Sequence, residues 1–344
     1  MHQAADQRPA RFRMRATWML AAAGLALLAF LAWRVSWSEV FVTLRSLSKP
    51  WLIAMFALTT LSVSLRAFRL SLVLGPHASF PQTWRSVCLG YFGSLFLPLG
   101  GGEAVKVAAI HYESGTSLSR AGTALAMDRL FDVCALLALM VGVAGWGPHL
   151  RLRTGPLILL AAAAASLIAL LVFLLISGDS LKDRLTRWTT GHPGRHPWIH
   201  RFDEIHGQAQ RLRKPGLMVV LIGLQACVFA VDIVGAACGL AAFPFGHGLP
   251  ASAAVRLTLF VMIGFGLPLL PGGFGSHQAA SILALAPYGI SSSQALALSL
   301  TGETVHILTL GGLGLVAIQG SGLNPLRLFR GPEVIHSPHP PEAP

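Results

Sequence analysis

Charge is scarce in this sequence. Only 12% of its 344 residues are Asp, Glu, Lys or Arg, about half the share usual in soluble globular chains. Mean hydropathy is +0.62. An ordinary soluble domain is excluded. Alternating ten-residue strands are also missing, which excludes a transmembrane β-barrel. The four cysteines (Cys88, Cys134, Cys227 and Cys238) lie in apolar stretches and form no CxxC pair, so metal or redox chemistry through them is not expected. No Walker loop is present to cradle a nucleotide. No Ser-His-Asp set follows from spacing, and Asp128 with Asp132 are too few for a two-metal site. No catalytic residue, cofactor or metal is therefore expected, and the chain is not expected to be an enzyme.

What is present is apolar sequence in runs near the roughly 20 residues needed to cross a bilayer. The clearest are Trp18–Trp33, Trp51–Leu65, Leu130–Trp146, Pro156–Ile176, Leu217–Phe243, Val255–Leu270 and Ser293–Ile318. They predict an all-α, polytopic integral membrane bundle of about seven to eight spanning helices. Arg8, Arg11, Arg13 and Arg15 precede the first run, and no small-residue cleavage site follows convincingly, so an uncleaved first helix is expected. The formal net charge of +12 fits membrane orientation and attraction to anionic lipid. Nucleic acid is not expected, because no basic helix with interleaved aromatics occurs.

Two of the apolar segments are interrupted. Residues 97–106 read Leu-Pro-Leu-Gly-Gly-Gly-Glu-Ala-Val-Lys, and residues 270–279 read Leu-Pro-Gly-Gly-Phe-Gly-Ser-His-Gln-Ala. Lipid cannot satisfy broken backbone, so each break belongs beside a protein-lined cavity. The surrounding pattern repeats. Gly102 to Gly115 is 13 residues and Gly275 to Gly289 is 14. Each second glycine leads into a Ser-rich helix start, Thr116-Ser117-Leu118-Ser119 or Ser291-Ser292-Ser293. Fourteen residues past it stands a charge, Arg129 or Glu303. An inverted repeat with half-repeats at about 51–146 and 217–318 is expected, its broken segments 84–112 and 251–290 re-entering from opposite faces.

Positive-inside bias places the N-terminus (1–16) and the basic loop 178–215 in the cytoplasm. That loop carries Lys182, Arg184, Arg187, Arg195, Arg201, Arg211, Arg213 and Lys214, while Arg151 and Arg153 are left outside. Its histidines belong to a solvated loop. One transmembrane domain, 17–320, precedes a Pro- and His-rich tail, 321–344, expected to be disordered.

Intramembrane charges are functional candidates by default. The acids in or beside apolar segments are Glu103, Asp128, Asp132, Asp232 and Glu303, and the bases are Lys106 and Arg129, with Arg66 and Arg69 near a membrane face. Glu103 and Lys106 share a helical face just after Gly100-Gly101-Gly102. The N–H groups there and Lys106 suit a lipid phosphate, with Glu103 holding an amine or orienting Lys106. A local ion pair at the interface is the competing account. Asp128 and Asp132 share a face and can bind a cation, relay protons or anchor Arg66, Arg69 or Arg120. Arg129 is the stronger candidate phosphate ligand, because its fork matches phosphate oxygens. In the second break Gly273, Gly275, His277 and Gln278 are candidate substrate contacts. Glu303 and His306 have a Glu-x-x-His spacing known from metal sites, but a lone pair fits a polar lining or proton-linked pair better. Asp232 is expected to pair with a basic side chain or Gln225.

Taken together these motifs resemble the lysylphosphatidylglycerol synthase transmembrane family. They are Arg66-Ala-Phe-Arg69, Leu97 to Lys106, Ala126-Met127-Asp128-Arg129-Leu130-Phe131-Asp132, and Leu270-Pro271-Gly272-Gly273-Phe274-Gly275, in the family's order over roughly residues 17–320. The resemblance implies lipid handling, with translocation between leaflets of an anionic or aminoacylated phospholipid or lipid-linked intermediate as the leading role. The family usually has glutamate where Gln278 sits and often arginine near Glu303, so charges are swapped in the second half. No synthase domain follows Ile318, and the chain is not expected to make lysyl-lipid. Coupling through Asp128, Asp132 or Glu303 and passive exchange both remain open. A partner subunit of a lipid- or glycan-synthesis enzyme and an enzyme acting on lipid headgroups are the alternative roles.

Overall fold

The computed structural model describes residues 29–30, 33, 35–97, 101–143, 207, 210–212, 214–266 and 273–321. Among them lie nine complete α-helices and no strand. They are α1 (Trp37–Arg45), α2 (Lys49–Leu74), α3 (Phe80–Ser94), α4 (Gly101–Ser114), α5 (Leu118–Val143), α6 (Pro215–Ala241), α7 (Ala251–Gly266), α8 (Ser276–Leu285) and α9 (Ser292–Ser321). Outside the described residues fall the N-terminal basic segment, most of the Trp18–Trp33 run, Pro98-Leu99-Gly100, the Pro156–Ile176 run, Arg151, Arg153, most of loop 178–215, Pro271-Gly272 and the tail beyond Ser321.

Among the described residues three helical stretches are long and apolar enough to cross a membrane: Lys49–His77, Pro215–Ala241 and Ser292–Ser321, of 29, 27 and 30 residues. The fourth long helix, α5, has 26 residues and is about 39 Å long, but carries Arg120, Asp128, Arg129 and Asp132. Of the apolar run Val255–Leu270, the part up to Gly266 belongs to the 16-residue α7, which starts at Ala251, and 267–270 lie outside the described residues. Large apolar side chains such as Ile53, Val219, Ile222, Leu283 and Val316 face outward, as a lipid-facing surface requires.

The element order repeats. A long helix (α2 or α6) ends in a proline-containing 3-10 turn, Gly75–His77 or Pro244–Gly246. Two short helices follow, then a glycine with positive φ (Gly115 at 68°, Gly289 at 76°). Only glycine enters that conformation without strain, and it turns the chain into a serine-capped long helix. The Ser117 hydroxyl accepts from the Arg120 N–H at 3.2 Å and the Ser291 hydroxyl from the Gln294 N–H at 3.2 Å. Two cores form. Leu70, Leu74, Val87, Ile110 and Ala121 fill the first together with Leu221 of α6 and Leu310 of α9, and Phe243, Leu257, Leu285 and Leu298 fill the second.

Within each half the two short helices form an antiparallel hairpin. In the first, Gly90 stands opposite Lys106, and a Cβ on Gly102 would lie 2.5 Å from the Gly90 carbonyl. At its mouth the Gln82 amide donates to the Glu113 carbonyl (2.6 Å) and Arg85 Nε to the Glu113 carboxylate (3.0 Å). In the second, a Cβ on Gly264 would lie 2.9 Å from the Ser276 carbonyl, Arg256 Nε donates to the Ala284 carbonyl (2.9 Å), and the Tyr288 hydroxyl to Ser252 (3.1 Å). Arms of 15, 14, 16 and 10 residues reach roughly 15 to 24 Å, short of a bilayer core of about 30 Å.

α2 and α6 are the most extensively packed pair outside the hairpins, and they run antiparallel. Ser62 meets Asp232, a Cβ on Gly235 would meet Leu58, one on Gly239 would meet Met55, and the Ser48 N–H meets the Ala242 carbonyl. The first hairpin hangs from the end of α2 and the second from the end of α6, so the two enter the bundle from opposite ends. α9 packs on α8 and also on α3, where Phe92 fills the space beside Gly314. α5 packs on α4 and reaches α7 through Leu136, Leu139 and Met140 around Leu259.

Candidate functional site

Where α2, α4, α5 and α6 converge, eight charged side chains form one continuous cluster. At its centre the Arg69 side chain is 0% exposed. Its Nε donates to Asp128 Oδ1 at 2.7 Å, Nη1 to Asp132 Oδ1 at 2.8 Å, and Nη2 to the Asp128 carbonyl at 3.4 Å. One turn earlier on α2, Arg66 Nη2 donates to Asp232 Oδ2 at 2.8 Å, and its Nη1 lies 3.5 Å from Asp132. The Ser62 hydroxyl donates to the other Asp232 oxygen at 2.7 Å. On the other side, Arg129 Nη1 donates to Asp132 Oδ2 at 3.1 Å and Arg129 Nη2 donates to Glu103. Lys106 Nζ lies 3.2 Å from both Glu103 oxygens and 4.7 Å from the centre of the Tyr91 ring. Four cations (Arg66, Arg69, Lys106 and Arg129) thus face four carboxylates (Glu103, Asp128, Asp132 and Asp232), and the formal charges cancel.

Arg66 and Arg69 sit inside the packing, where the aspartates of α5 and α6 offer them paired, desolvated partners. Asp128 and Asp132 share a face, and among the roles open to them the structure has that face holding these arginines. Asp232 finds its basic partner in Arg66, whereas both polar atoms of the buried Gln225 side chain have no partner among the described residues. Glu103 and Arg129 form the open part of the cluster, their side chains 39% and 38% exposed. Lys106 is buried beneath them at 2%. Gly101 and Gly102 open α4 directly beside this pair, while Gly100 lies outside the described residues.

The second break is built differently. Gln278, third residue of α8, accepts from the Gly275 N–H at 2.6 Å through Oε1 and donates through Nε2 to Glu303 Oε2. Gly273 and Gly275 have φ of 83° and 86°, which shape the turn into α8. His277 Nδ1 shares a hydrogen bond with the Ser299 hydroxyl (2.7 Å) and lies 3.7 Å from Glu303 Oε2. The Phe265 ring stands between the imidazoles of His277 and His306, at 5.0 and 5.5 Å. His306 is within electrostatic reach of Asp232 and Arg66, so the two clusters adjoin. Glu303 is 2% exposed and its Oε1 has no partner among the described residues. No group of three metal-ligating side chains occurs among the described residues.

The two sites correspond position by position. Glu103 and Gln278 are each third in the helix after the break. Arg129 and Glu303 each lie 12 residues past the capping serine, and Asp132 and His306 each lie 15 past it. In both halves the third-position side chain hydrogen-bonds the residue at 12. Ser62, Tyr91, Phe265 and Ser299 had not been singled out from sequence. The available signals were helical spacing, Ser62 four residues before Arg66 and Ser299 four before Glu303.

The family model described as "Lysylphosphatidylglycerol synthase TM region" matches residues 18–314. No curated protein matches the chain.

Proposed function

The chain belongs to the family of the lysylphosphatidylglycerol synthase TM region, and from that membership we propose that it translocates a membrane lipid between leaflets, acting as a transporter rather than an enzyme. The observation that carries this is the exposed Glu103–Arg129 pair at the mouth of an otherwise buried, charge-balanced cluster. A lipid phosphate takes Arg129, with Lys106 and the first N–H groups of α4 behind it. A headgroup amine takes Glu103. An aminoacylated headgroup replaces the pair without changing the net charge, whereas a bare anion must displace Glu103. Acyl chains stay in the bilayer, against the apolar outer faces of the helices.

The proposed architecture is an inverted repeat with two re-entrant hairpins in a bacterial inner membrane. The N-terminus and loop 178–215 are cytoplasmic, where the loop lies on anionic lipid or docks a lipid- or glycan-synthesis enzyme. Support comes from the matched element order, the antiparallel α2 and α6, and hairpin arms too short to span. Alternate opening at the two hairpins would move the headgroup past the midplane.

The test is leaflet exchange of labelled anionic and aminoacylated lipids in vesicles containing the purified chain. Wild type is expected to exchange at least one of them. Arg129→Ala is expected to slow this at least about tenfold, the equivalent of 1.4 kcal/mol, and Glu103→Gln to slow aminoacylated lipid more than anionic lipid. Folded protein that exchanges no lipid sinks the proposal.

A further inference from the structure

We propose that Glu303 is a proton-binding site, and that its proton ties lipid movement to a transmembrane pH gradient. The second clause rests on the translocation proposed above; the first stands without it.

Five acids lie in or beside the apolar segments, and four of them are neutralised. Glu103 has Lys106 and Arg129, Asp128 has Arg69, Asp132 has Arg66, Arg69 and Arg129, and Asp232 has Arg66. Protonating any of these leaves the balanced cluster of four cations and four carboxylates with an uncompensated positive charge. Glu303 alone has no Lys or Arg within salt-bridge range among the described residues, though it is as buried as Lys106. An unpaired carboxylate costs several kcal/mol at such a site, a neutral acid far less. The Gln278 amide occupies Oε2, so the proton belongs on Oε1, the oxygen without a partner.

The groups around it allow that proton to leave. From α8 His277 faces Glu303, with Nδ1 3.7 Å from Oε2. One turn on along α9 stands His306, and the groups facing His306 are Asp232 of α6 and Arg66 of α2. Glu39 of α1 and Arg85 of α3 meet α9 only at its two ends, beside Ser291 and Gly320, and Tyr91 of α3 faces Lys106. With the second hairpin closed, Glu303 keeps its proton. When the hairpin opens, water solvates the carboxylate and the proton departs through His277 or water. One proton is bound and released per cycle, and no other bond changes.

Two measurements on the full chain in vesicles test this. The first is infrared difference spectroscopy of the protonated-carboxyl C=O stretch. Wild type is expected to show a band at neutral pH that Glu303→Gln removes; if that variant does not fold, Glu303→Asp must shift the band. A band that survives both changes, or is absent at every pH where the protein is folded, overturns the proton site. The second imposes a gradient of one pH unit during exchange of labelled aminoacylated lipid. Wild type is expected to approach about a tenfold leaflet ratio for one proton per lipid, and Glu303→Gln to exchange lipid to an even distribution. Gradient response retained by Glu303→Gln, or a sodium gradient driving wild type equally well, overturns the coupling. Wild type that exchanges no lipid removes the transport proposal, and the infrared band still decides whether Glu303 holds a proton.

Discussion

The two half-sites differ in how completely their charges are answered. In the first, Glu103, Asp128, Asp132 and Asp232 each have a cation, and Arg66, Arg69, Lys106 and Arg129 each a carboxylate, through links of 2.7 to 3.5 Å. In the second, the positions of Glu103, Arg129 and Asp132 are taken by the amide of Gln278, the lone carboxylate of Glu303 and the imidazole of His306. The backbone plan is shared, down to the glycine with positive φ and the capping serine. The difference teaches that two stretches with the same element order can share where side chains meet and differ in what charge they carry. One half is electrostatically balanced, and the other holds a buried carboxylate oxygen without a partner among the described residues.

The largest effect that sharpens this contrast is expected at Arg69. Arg69→Ala strands Asp128 in the core, while Asp132 keeps Arg66 and Arg129, and should cost about 3–5 kcal/mol, read as a drop in thermal unfolding in detergent. A loss under about 1 kcal/mol would show that the first cluster is wetter than its burial implies. Next comes the hairpin contact. Gly102→Ala drives a methyl to 2.5 Å from the Gly90 carbonyl and should cost about 1–3 kcal/mol. Substitution by alanine at Gly122 or Gly223, where nothing lies within 4 Å of the added carbon, serves as the control.

The correspondence itself can be broken by exchange. Gln278→Glu alone puts two carboxylates together, and Glu303→Arg alone buries an unpaired cation. The double variant rebuilds the Glu–Arg pair of the first half, and its loss should fall short of the sum of the singles by about 0.5–3 kcal/mol. Additive losses would mean that the two positions are not equivalent. The smallest effect tests the shared plan rather than the difference. Ser117→Ala and Ser291→Ala should each cost about 1 kcal/mol through the lost cap, with Ser291→Ala losing its bond to Glu39 as well; a Ser291→Ala loss below that of Ser117→Ala would argue that the second helix start does not depend on its cap.

Much of this was legible in the sequence because it is local. The proline–glycine breaks, the glycine-to-serine spacing and the serine caps depend on residues a few positions apart, and they reappear as hairpins, left-handed glycines and capped helices. The Glu103–Lys106 pair was legible for the same reason. Arg66 bonding Asp232 lies 166 residues away, and no local spacing encodes which base that aspartate takes. Arg69 looked like the polar end of an apolar run, because burial depends on what α5 and α6 bring to it. The isolation of Glu303 was also illegible, since a missing partner shows only when all neighbours are in place. The match of Glu103–Arg129 to Gln278–Glu303 lay in the numbering, but needed both hydrogen bonds to be seen.

Each long helix that follows a hairpin leans on the far arm of its own hairpin and on the near arm of the other: α5 on α4 and α7, α9 on α8 and α3. Such cross-bracing gives the bundle the mechanics of a balance beam. An α-helix resists stretching, so a slide of α9 that frees α8 at one end presses Phe92 of α3 at the other. Braced this way, neither hairpin can shift against its neighbouring long helix without loading the other hairpin.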